Sequence, residues 1–439
     1  MGDGRKAALT ALEKCRRQGA WSDAVLGSVM DDAKLDQRDR GLAAALCYGV
    51  MQNRTLLDAY LAEASSVKLG KVEPKVLDIL HISAYQLLFM DKIPAPAAVN
   101  EAVRLTKSTG FSRAGGYVNA VLRRIAGGDI ALTLRGTADE RLSVEYSHPP
   151  WLTEYLITQL GVEEAEKFLR CNNAPVPLTL QVNTLKTDAD ALLALLAEEG
   201  VAAEKHPWLT DCLTAQSTGG IAALEAFKNG LFYVQDAAAK SAVLTAAPQA
   251  GMKILDVCAA PGGKSFAAAI LSGGSAEITA CDLHENKLKR IREGASRLGL
   301  TNIETIACDA RQNRPEWNGA FDLVIADVPC SGLGVIRKKP DIRWKDPEEF
   351  AALPAIQLDI LRNVSRYVAP GGVLLYSTCT VRSEENGDVF GAFLRENADF
   401  IAEDFTAPDD TASGNGMLQL WPQRNGTDGF FVAKMRKKA

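Results

Sequence analysis

The sequence predicts a multidomain fold with an all-α N-terminal domain, a small α+β connecting domain and a C-terminal α/β domain. Three observations support this prediction. The length of 439 residues is enough for about three domains. Apolar residues recur at helical spacing up to about Ala126, and from Tyr233 onward apolar strands alternate with amphipathic helices. Repeated βα units of this size indicate a parallel sheet covered on both faces.

The N-terminal domain is expected over residues 1–128 and should contain roughly five to seven helices. Its apolar residues follow a helical pattern, as in Leu42, Leu46 and Val50, and glycine and proline residues interrupt that pattern at intervals. A linker with little periodicity is expected over residues 129–150, because the segment ends in two consecutive prolines.

The connecting domain is expected over residues 151–232. A helix opens it, and residues 178–183 alternate between apolar and polar side chains as a strand does. A second helix is predicted over 188–199 and a short strand near 201–204. This mixture of elements is typical of a small α+β unit.

The C-terminal domain is expected over residues 233–439. Its predicted strands are 253–257, 276–281, 303–307, 321–326 and 373–376. Helices are predicted between them, including 285–298 and 348–367. The pair 417–421 and 429–435, joined through Gly426, is predicted to form an antiparallel hairpin at the edge of the sheet.

Bulk composition is that of a soluble globular protein, with 47% hydrophobic and 23% charged residues. No apolar run approaches the roughly 18 residues that a membrane-spanning helix needs, and no secretory leader is recognised at the start. The nine cysteines lack paired spacing and neighbouring histidines, which argues against a disulfide framework and a zinc site. We therefore expect a cytoplasmic protein with reduced thiols, no metal and no membrane partner.

Charge is unevenly distributed along the chain. Residues 1–130 contain 18 Lys and Arg against 14 Asp and Glu, whereas residues 131–439 contain 31 against 40. The basic residues late in the first part are Arg104, Lys107, Arg113, Arg123 and Arg124. Such a cluster suits a phosphate-binding surface, and a solvated helix face would show the same modest charge density.

Two cysteines directly follow predicted buried strands. Cys330 lies in segment 326–332 and Cys379 in segment 376–380. Ligand crevices of open α/β sheets lie at the carboxyl ends of strands, so both thiols are candidates for a site. A thiolate beside a carboxylate such as Asp327 suits attack on an electron-poor ring carbon, and a second thiol suits later proton transfer. The alternative is a pair of buried thiols that act as small hydrophobic side chains.

A turn containing two glycines joins the first strand of this domain to its helix, between Cys258 and Lys264. Glycines allow the backbone to approach a ligand closely, and the amino end of a helix offers unpaired N–H groups. The turn resembles a P-loop in residues 263–265, but Cys258 stands where the first glycine of a P-loop belongs.

The next two predicted strands end in aspartates. Asp282 is placed to accept hydrogen bonds from ribose hydroxyls, and Asp309 is placed to accept one from an adenine amine. Together with the turn, they predict a pocket for an adenosine group without a pyrophosphate. Each aspartate alone is at least as well explained as a helix N-cap.

Segments 260–264, 327–332 and 377–380 resemble the RNA 5-methylcytosine methyltransferases of the Sun/Fmu/RsmB type, within the NOL/NOP2/Sun family. The helical N-terminal part resembles NusB, an RNA-binding module, in 98–103 and 118–124. The resemblance covers nearly the whole chain. It implies a Rossmann-like class I methyltransferase sheet preceded by a NusB-like RNA-binding domain. One departure is minor, since Val328 stands where the family commonly has Ala.

The resemblance implies S-adenosylmethionine as cofactor and carbon 5 of a cytosine in small-subunit (16S) ribosomal RNA as the methylated atom. The implied cofactor site consists of Cys258, Ala259, Ala260, Pro261, Gly262, Gly263, Lys264, Asp282, Asp309 and Asp327. Cys379 would attack the base, Asp327 would bind it, and Cys330 would assist release. The opposite roles for the thiols stay open, because DNA cytosine methyltransferases use the cysteine of a Pro-Cys pair.

The implied partner is small-subunit ribosomal RNA, unassembled or partly assembled, and we expect a monomeric enzyme. Segment 335–345 combines basic residues with Trp344, which suits phosphate contacts and base stacking; an exposed loop with incidental charge is the alternative. Two other functions are considered: a non-catalytic NusB-like RNA-binding or antitermination factor, and a P-loop nucleotide hydrolase. The presence of both Cys330 and Cys379 favours the methyltransferase.

Overall fold

The computed structural model describes residues 3–18, 22–128, 130–216 and 220–439. Contacts divide the chain into two units. The first comprises Met1–Ala174 together with Ile336–Lys345, and the second comprises Pro175–Val335 and Asp346–Ala439. Residues 336–345 therefore belong to the helical unit by their contacts, although they lie within the C-terminal part of the sequence.

The described residues of the first unit form helices and connecting loops, without a β-strand. Its helices are α1 (Gly4–Gln18), α2 (Ser22–Asp32), α3 (Gln37–Ala64), α4 (Pro74–Phe89), α5 (Ala95–Ser108), α6 (Gly115–Ala126), α7 (Ala138–Glu145), α8 (Pro150–Leu160) and α9 (Val162–Asn173). Leu46, Leu57 and Ile79 are fully buried in its core. Helix α3 begins where the Asp36 side chain accepts a hydrogen bond from Asp39 N, which satisfies a free N–H group of the first turn. The predicted number of helices up to Ala126 is confirmed.

The segment expected to be a linker contains a helix. Asp129, where the linker is expected to begin, lies outside the described residues, as do residues 1 and 2 of the expected N-terminal domain. Helix α7 begins after Thr137, whose backbone N donates to Glu140 Oε2 at 3.0 Å. This Thr-x-x-Glu arrangement is a helix-start signal in the sequence, and the helix was missed because its eight residues show little periodicity. The exact domain limits stay predictions.

The connecting domain has a four-stranded antiparallel sheet with strand order β2-β3-β1-β4. Its elements are β1 (Leu178–Val182), α10 (Ala189–Glu198), β2 (Ala203–Lys205), β3 (Cys212–Ala215), α11 (Glu225–Lys228) and β4 (Phe232–Val234). The predicted strand 178–183 and helix 188–199 are confirmed to within one residue at each end. Asp188 caps α10 by accepting from Ala191 N at 2.8 Å.

The C-terminal domain is an eight-stranded mixed sheet flanked by helices. Its elements are α12 (Ala237–Ala246), β5 (Lys253–Asp256), α13 (Gly263–Leu271), β6 (Glu277–Asp282), α14 (Glu285–Leu298), β7 (Ile303–Ala307), β8 (Phe321–Asp327), α15 (Leu353–Val364), β9 (Val368–Thr378), α16 (Gly387–Glu396), β10 (Phe400–Ala402), β11 (Met417–Leu420), α17 (Pro422–Asn425) and β12 (Phe430–Lys437). The strand order is β10-β12-β9-β8-β5-β6-β7, with β11 also paired to β12. Strands β9, β8, β5, β6 and β7 are parallel, so the Rossmann-like prediction is confirmed.

Two predictions for this domain are corrected. The helix predicted over 348–367 is divided into a short 3-10 turn, the helix α15 and a second 3-10 turn. Pro354 lies in the first turn of α15, where its missing N–H costs no hydrogen bond and where helices commonly begin. Strand β12 is interior and not at the edge, because it pairs with β9 on one side and with β10 and β11 on the other. Residues 430–433 are accordingly all buried, as expected for a strand covered on both faces.

Within the ranges that the structure describes, no helix combines the length and the apolar character needed to cross a membrane.

Candidate active site

The parallel strands bring their carboxyl ends to one edge of the sheet, and the candidate residues collect there. Asp256 lies beside Ile325 in the register of β5 and β8, and Asp327, at the end of β8, lies beside Ser377 of β9. Asp282 ends the next strand, β6. The structure therefore brings Asp282 and Asp327, which were predicted for this edge, together with Asp256, which was not predicted.

The turn between β5 and α13 requires glycine at one position. Gly262 has a φ of +113°, a left-handed conformation that L side chains rarely adopt. A Cβ there would lie 2.5 Å from Cζ of Phe266, and a Cβ on Gly263 would lie 3.0 Å from Nε2 of Gln235. The turn is closed by the Gly262 N–H, which donates to Ala259 O at 2.7 Å, and the Ala259 N–H joins it to β6 by donating to Cys281 O at 2.7 Å. Helix α13 begins at Gly263, so its amino end faces the same edge as the aspartates.

Lys264 and Asp327 form an ion pair that joins the glycine turn to the end of β8. Lys264 Nζ lies 2.6 Å from Asp327 Oδ2, and it also lies 4.9 Å from the ring centre of Phe430. The other oxygen, Oδ1, accepts a hydrogen bond from Ser377 Oγ at 2.8 Å. The lysine is therefore engaged by a carboxylate, whereas a P-loop lysine must contact phosphates.

Asp256 is a buried carboxyl group beneath this ion pair. Its Oδ2 accepts from Ser265 Oγ at 2.7 Å, and its Oδ1 has no hydrogen-bond partner among the described residues. Burial raises the pKa of Asp256 to about 7, against the opposing effects of Ser265 and Lys264. Burial raises the pKa of Cys258, and the charges of Asp256 and Asp327 raise it further. The thiolate form of this cysteine is therefore disfavoured, and the side chain acts as a structural part of the turn.

The other two predicted carboxyl groups differ in their surroundings. Asp282 is 6% exposed, and its Oδ1 accepts from His284 N at 3.1 Å. Asp309 binds Arg311 in a bidentate pair, with Nη2 to Oδ2 at 2.9 Å and Nε to Oδ1 at 3.1 Å. The hydrogen bonds from Arg311 lower the pKa of Asp309. Asp309 is therefore held as an acceptor beside the end of β7, with its orientation fixed by an arginine that the sequence analysis did not consider.

The two candidate thiols are in direct contact. Cys330 Sγ lies 3.2 Å from Cys379 Sγ, and both side chains are partly exposed. The hydrogen bond with Cys379 and burial raise the pKa of Cys330, with smaller contributions from the Glu385 and Asp327 charges. Cys330 therefore holds its proton firmly and can donate it in a hydrogen bond to the sulfur of Cys379.

Several polar residues around the thiols were not predicted. Ser377 and Phe430 contact the ion pair, and three buried residues, Gln357, Glu385 and Asn386, contact the loops that carry the two cysteines. The polar run 383–386, directly after the Cys379 segment, was the available sequence signal. It was missed because polar residues at the start of a helix are normally exposed caps.

Two residues of the basic segment after Cys330, Arg343 and Trp344, are engaged by protein groups and not by solvent, whereas Lys338 and Lys339 are exposed. Arg343 is completely buried, and its Nη1 donates to Ser147 O at 3.1 Å and to Asn173 Oδ1 at 2.9 Å. Trp344 donates from Nε1 to Met51 O at 2.9 Å. Both side chains therefore stabilise the helical unit, because a buried guanidinium and an indole N–H need protein acceptors.

The basic cluster of the N-terminal domain is partly neutralised. Arg104 pairs with Asp3 at 2.7 Å and with Glu101 at 2.6 Å, and Arg124 donates from Nη1 to Ala64 O at 2.7 Å. Lys107, Arg113, Arg123 and Arg124 are exposed, so of these five residues only Arg104 has its charge offset by carboxylates.

No group of three or more His, Cys, Asp or Glu side chains suited to a metal ion occurs among the residues described.

Family models match three parts of the chain. Residues 243–436 match the model for the 16S rRNA methyltransferase RsmB/F, and residues 3–127 match the NusB family. Residues 148–222 match the ferredoxin-like domain of RsmF/B-like methyltransferases. These matches correspond to the C-terminal sheet domain, the N-terminal helices and the connecting domain respectively.

Similar proteins extend over nearly the whole chain. The chain is 39% identical over 443 residues to the probable ribosomal RNA small subunit methyltransferase B of Bacillus subtilis, covering 99% of this chain and 98% of that protein. It is 35% identical to ribosomal RNA small subunit methyltransferase B of Pseudomonas putida, covering 99% and 98%. The crystal structure of PH0851 is 26% identical, covers 99% of this chain and 98% of that chain, and superimposes with a TM-score of 0.83.

Proposed function

The chain belongs to the RsmB/F family of 16S rRNA methyltransferases, and we propose that it methylates carbon 5 of a cytosine through a covalent adduct on Cys379. The observation that carries this proposal is the contact of Cys330 and Cys379 at 3.2 Å, next to the ion pair of Lys264 and Asp327. Two thiols in contact are suited to a reaction in which one attacks a base and the other handles a proton.

The residues at the strand ends fit the cofactor of this family, S-adenosylmethionine, by their chemistry. When bound, this cofactor supplies an electrophilic methyl group on its sulfonium sulfur. Asp282 and Asp309 present acceptors suited to ribose hydroxyls and an adenine amine, and the amino end of α13 presents N–H groups suited to a carboxylate. Phosphates would instead face the carboxyl groups of Asp256, Asp282 and Asp309, which disfavours the P-loop hydrolase.

The two thiols are proposed to have different roles. Because the pKa of Cys330 is raised and its sulfur contacts that of Cys379, we assign proton transfer to Cys330 and attack on the base to Cys379. In the first step, the Cys379 thiolate forms a bond to carbon 6 of the cytosine, and the ring electrons become available at carbon 5. Carbon 5 then takes the methyl group while Cys379 stays bonded to carbon 6.

Asp327 is proposed to bind the cytosine during this addition. Its carboxyl group lies between Lys264 and Ser377, which fixes its orientation. A carboxyl group in this position suits the exocyclic amine of the base, and it stabilises the adduct at ring nitrogen 3 when one of the two partners carries a proton. Lys264 is proposed to hold Asp327 in place and to contribute positive charge near the adduct.

Release of the product requires loss of the carbon 5 proton and cleavage of the bond between Cys379 and carbon 6. We assign this step to Cys330: once Cys379 is bonded to carbon 6 and carries no charge, the Cys330 thiol loses its proton to water, and its thiolate then accepts the carbon 5 proton. The electron pair of the broken carbon–hydrogen bond restores the ring double bond, and Cys379 leaves as a thiolate. The cytosine must be unpaired or flipped out for Cys379 to reach it.

The alternative of a non-catalytic RNA-binding factor does not account for this arrangement. Such a factor has no need for two half-buried thiols in contact, or for an ion pair between Lys264 and Asp327 at the end of the sheet. Burying these polar groups without a chemical role costs free energy of folding.

The test is a comparison of cysteine variants with a 16S rRNA transcript and labelled cofactor. The Cys379→Ala variant is expected to lose methylation, because no thiolate remains to add to carbon 6. The Cys330→Ala variant is expected to form the adduct and to retain RNA covalently on a denaturing gel. The Cys15→Ala variant is a matched control, because Cys15 is also a partly exposed free cysteine but lies in α1.

The opposite pattern, with RNA trapped on the Cys379→Ala variant, would exchange the two roles. Full activity of both variants would remove the covalent mechanism. Bisulfite sequencing of ribosomal RNA from cells with and without the protein identifies the cytosine, and an unchanged pattern would exclude the proposed substrate.

A further inference from the structure

Two consecutive buried residues, Glu385 and Asn386, contact the two cysteine loops separately. The Cys330 loop (residues 329–331) and the Cys379 loop (residues 378–380) follow strands β8 and β9. Glu385 is 0% exposed and Asn386 is 2% exposed. Both lie just before α16 and neither touches the ion pair of Lys264 and Asp327 through any hydrogen bond among the described residues.

Glu385 holds the Cys330 loop together with Gln357 of α15. Glu385 Oε2 accepts from the backbone N of Ser331 at 2.8 Å and from Gln357 Nε2 at 3.0 Å. The same Gln357 Nε2 donates to Pro329 O at 2.9 Å. The residues on both sides of Cys330 are therefore fixed by one connected pair of side chains.

Asn386 holds the Cys379 loop in a corresponding way. Its Oδ1 accepts from the hydroxyl of Thr378, and its Nδ2 donates to Thr380 O at 3.1 Å. These two threonines flank Cys379 in the sequence. Nδ2 also donates to Gln419 Oε1 at 2.9 Å, which fixes the amide orientation.

Stability alone does not explain this arrangement. Glu385 Oε1 pairs with Arg382 Nη1 at 3.5 Å, but a buried ion pair commonly contributes no more to stability than apolar side chains of similar volume. The contacts instead fix the backbone on both sides of each thiol. Ser331 Oγ and Thr380 Oγ1 lie 2.7 Å apart, so the two loops are also held against each other.

We propose that Glu385, with Gln357, is a positioning residue for Cys330 and that Asn386 is a positioning residue for Cys379. The inference extends the proposed function, because each residue is assigned to one step of that reaction. Glu385 and Gln357 act on product release through Cys330, whereas Asn386 acts on formation of the adduct through Cys379. A displacement of about 1 Å in a reacting group can reduce a rate by as much as 100-fold.

The kinetic test compares Glu385→Ala, Gln357→Ala and Asn386→Ala with Cys330→Ala and Cys379→Ala in single-turnover assays on 16S rRNA. Methylated product and covalently bound RNA are measured separately. Glu385→Ala removes the acceptor for Ser331 N and Gln357 Nε2, and Gln357→Ala removes the bond to Pro329, so both should behave as Cys330→Ala does. Asn386→Ala should behave as Cys379→Ala does, with the first-turnover rate lowered about tenfold or more.

A matched control is Asn183→Ala, in the connecting domain. Asn183 is also fully buried, and its Nδ2 also bridges two carbonyl groups, Gly230 O and Leu298 O. Its loss should lower the melting temperature by an amount similar to Asn386→Ala without changing the ratio of covalently bound RNA to product. A purely structural role for Glu385 or Asn386 predicts the same unchanged ratio.

A second measurement does not depend on RNA or on the proposed reaction. The rates of alkylation of Cys330 and Cys379 by iodoacetamide are measured by peptide mass spectrometry. Gln357→Ala and Glu385→Ala should raise the rate at Cys330 at least about threefold and leave Cys379 within about twofold, and Asn386→Ala should do the reverse.

Equal effects of all three variants on both thiols and on both steps would overturn the inference. A different result would separate this inference from the proposed function. If Cys330→Ala trapped no RNA and Cys379→Ala still methylated it, while the loop-specific changes in alkylation were observed, the proposed function would be refuted. The positioning roles would stand.

Discussion

Lys264 and Asp327 form a largely buried ion pair, with Nζ 2.6 Å from Oδ2. It connects the glycine turn after β5 to the end of β8, just before the Cys330 loop. The lysine side chain is 8% exposed and the aspartate side chain is 31% exposed. Each therefore depends on the other for compensation of its charge, although water reaches the aspartate in part.

Removal of either partner should destabilise the protein, and the two losses should not be additive. Lys264→Met or Asp327→Asn alone should each lower the free energy of unfolding by about 2 kcal/mol, because one poorly hydrated charge is left without its partner. The double variant should lose less than the sum of the two. Urea unfolding of all four proteins measures the coupling, and additivity within about 0.5 kcal/mol would show that the pair is not coupled.

The strand ends that form the site were predictable from the sequence because carboxyl ends of parallel strands share one edge. Asp282, Asp327 and the turn at Gly262 each follow an apolar run. Because the strands are parallel, these residues lie at the same edge of the sheet whatever the order of the strands. Helix α14 was predicted with its observed limits, 285–298, because its apolar residues recur strictly at helical spacing.

The burial of polar side chains was not predictable in the same way. Glu385 contacts Ser331, 54 residues earlier in the sequence, and Arg343 contacts Ser147, 196 residues earlier. Composition assigns such charged residues to the surface, since it contains no information on acceptors supplied by distant segments. The contact of Cys330 with Cys379 likewise depends on the pairing of β8 with β9.

The buried carboxyl group of Asp256 should make stability depend on pH. Burial raises its pKa to about 7 from its usual value of 3.8, so the folded protein retains a proton that the unfolded chain releases at lower pH. Between about pH 4 and pH 7, rising pH therefore lowers the free energy of unfolding, and above about pH 7 this contribution is constant.

The Asp256→Asn variant should lack this dependence while keeping an acceptor for the Ser265 hydroxyl. Relative to the variant, the free energy of unfolding of the wild-type protein should fall by about 1 kcal/mol for each pH unit within that window. Urea unfolding at several pH values from about 5 to about 8 measures the difference. Curves that run parallel across the window would show that Asp256 does not retain its proton on folding.

Gly262 should be required for cofactor binding because a side chain there would collide with Phe266. Gly251, which has a positive φ but no such neighbour, serves as the control. Gly262 and Gly251 both have positive φ values, +113° and +79°, so alanine at either position carries a backbone cost of about 1 kcal/mol. Only at Gly262 does the added Cβ meet a neighbour, Cζ of Phe266 at 2.5 Å; at Gly251 it meets no described atom within 4 Å. In Gly262→Ala the Phe266 ring or the turn must move, which displaces the N–H groups at the start of α13.

Calorimetric titration with S-adenosylmethionine should show affinity reduced about tenfold or more in Gly262→Ala and nearly unchanged in Gly251→Ala. Equal affinities in the two variants, at equal melting temperatures, would show that the turn does not contact the cofactor.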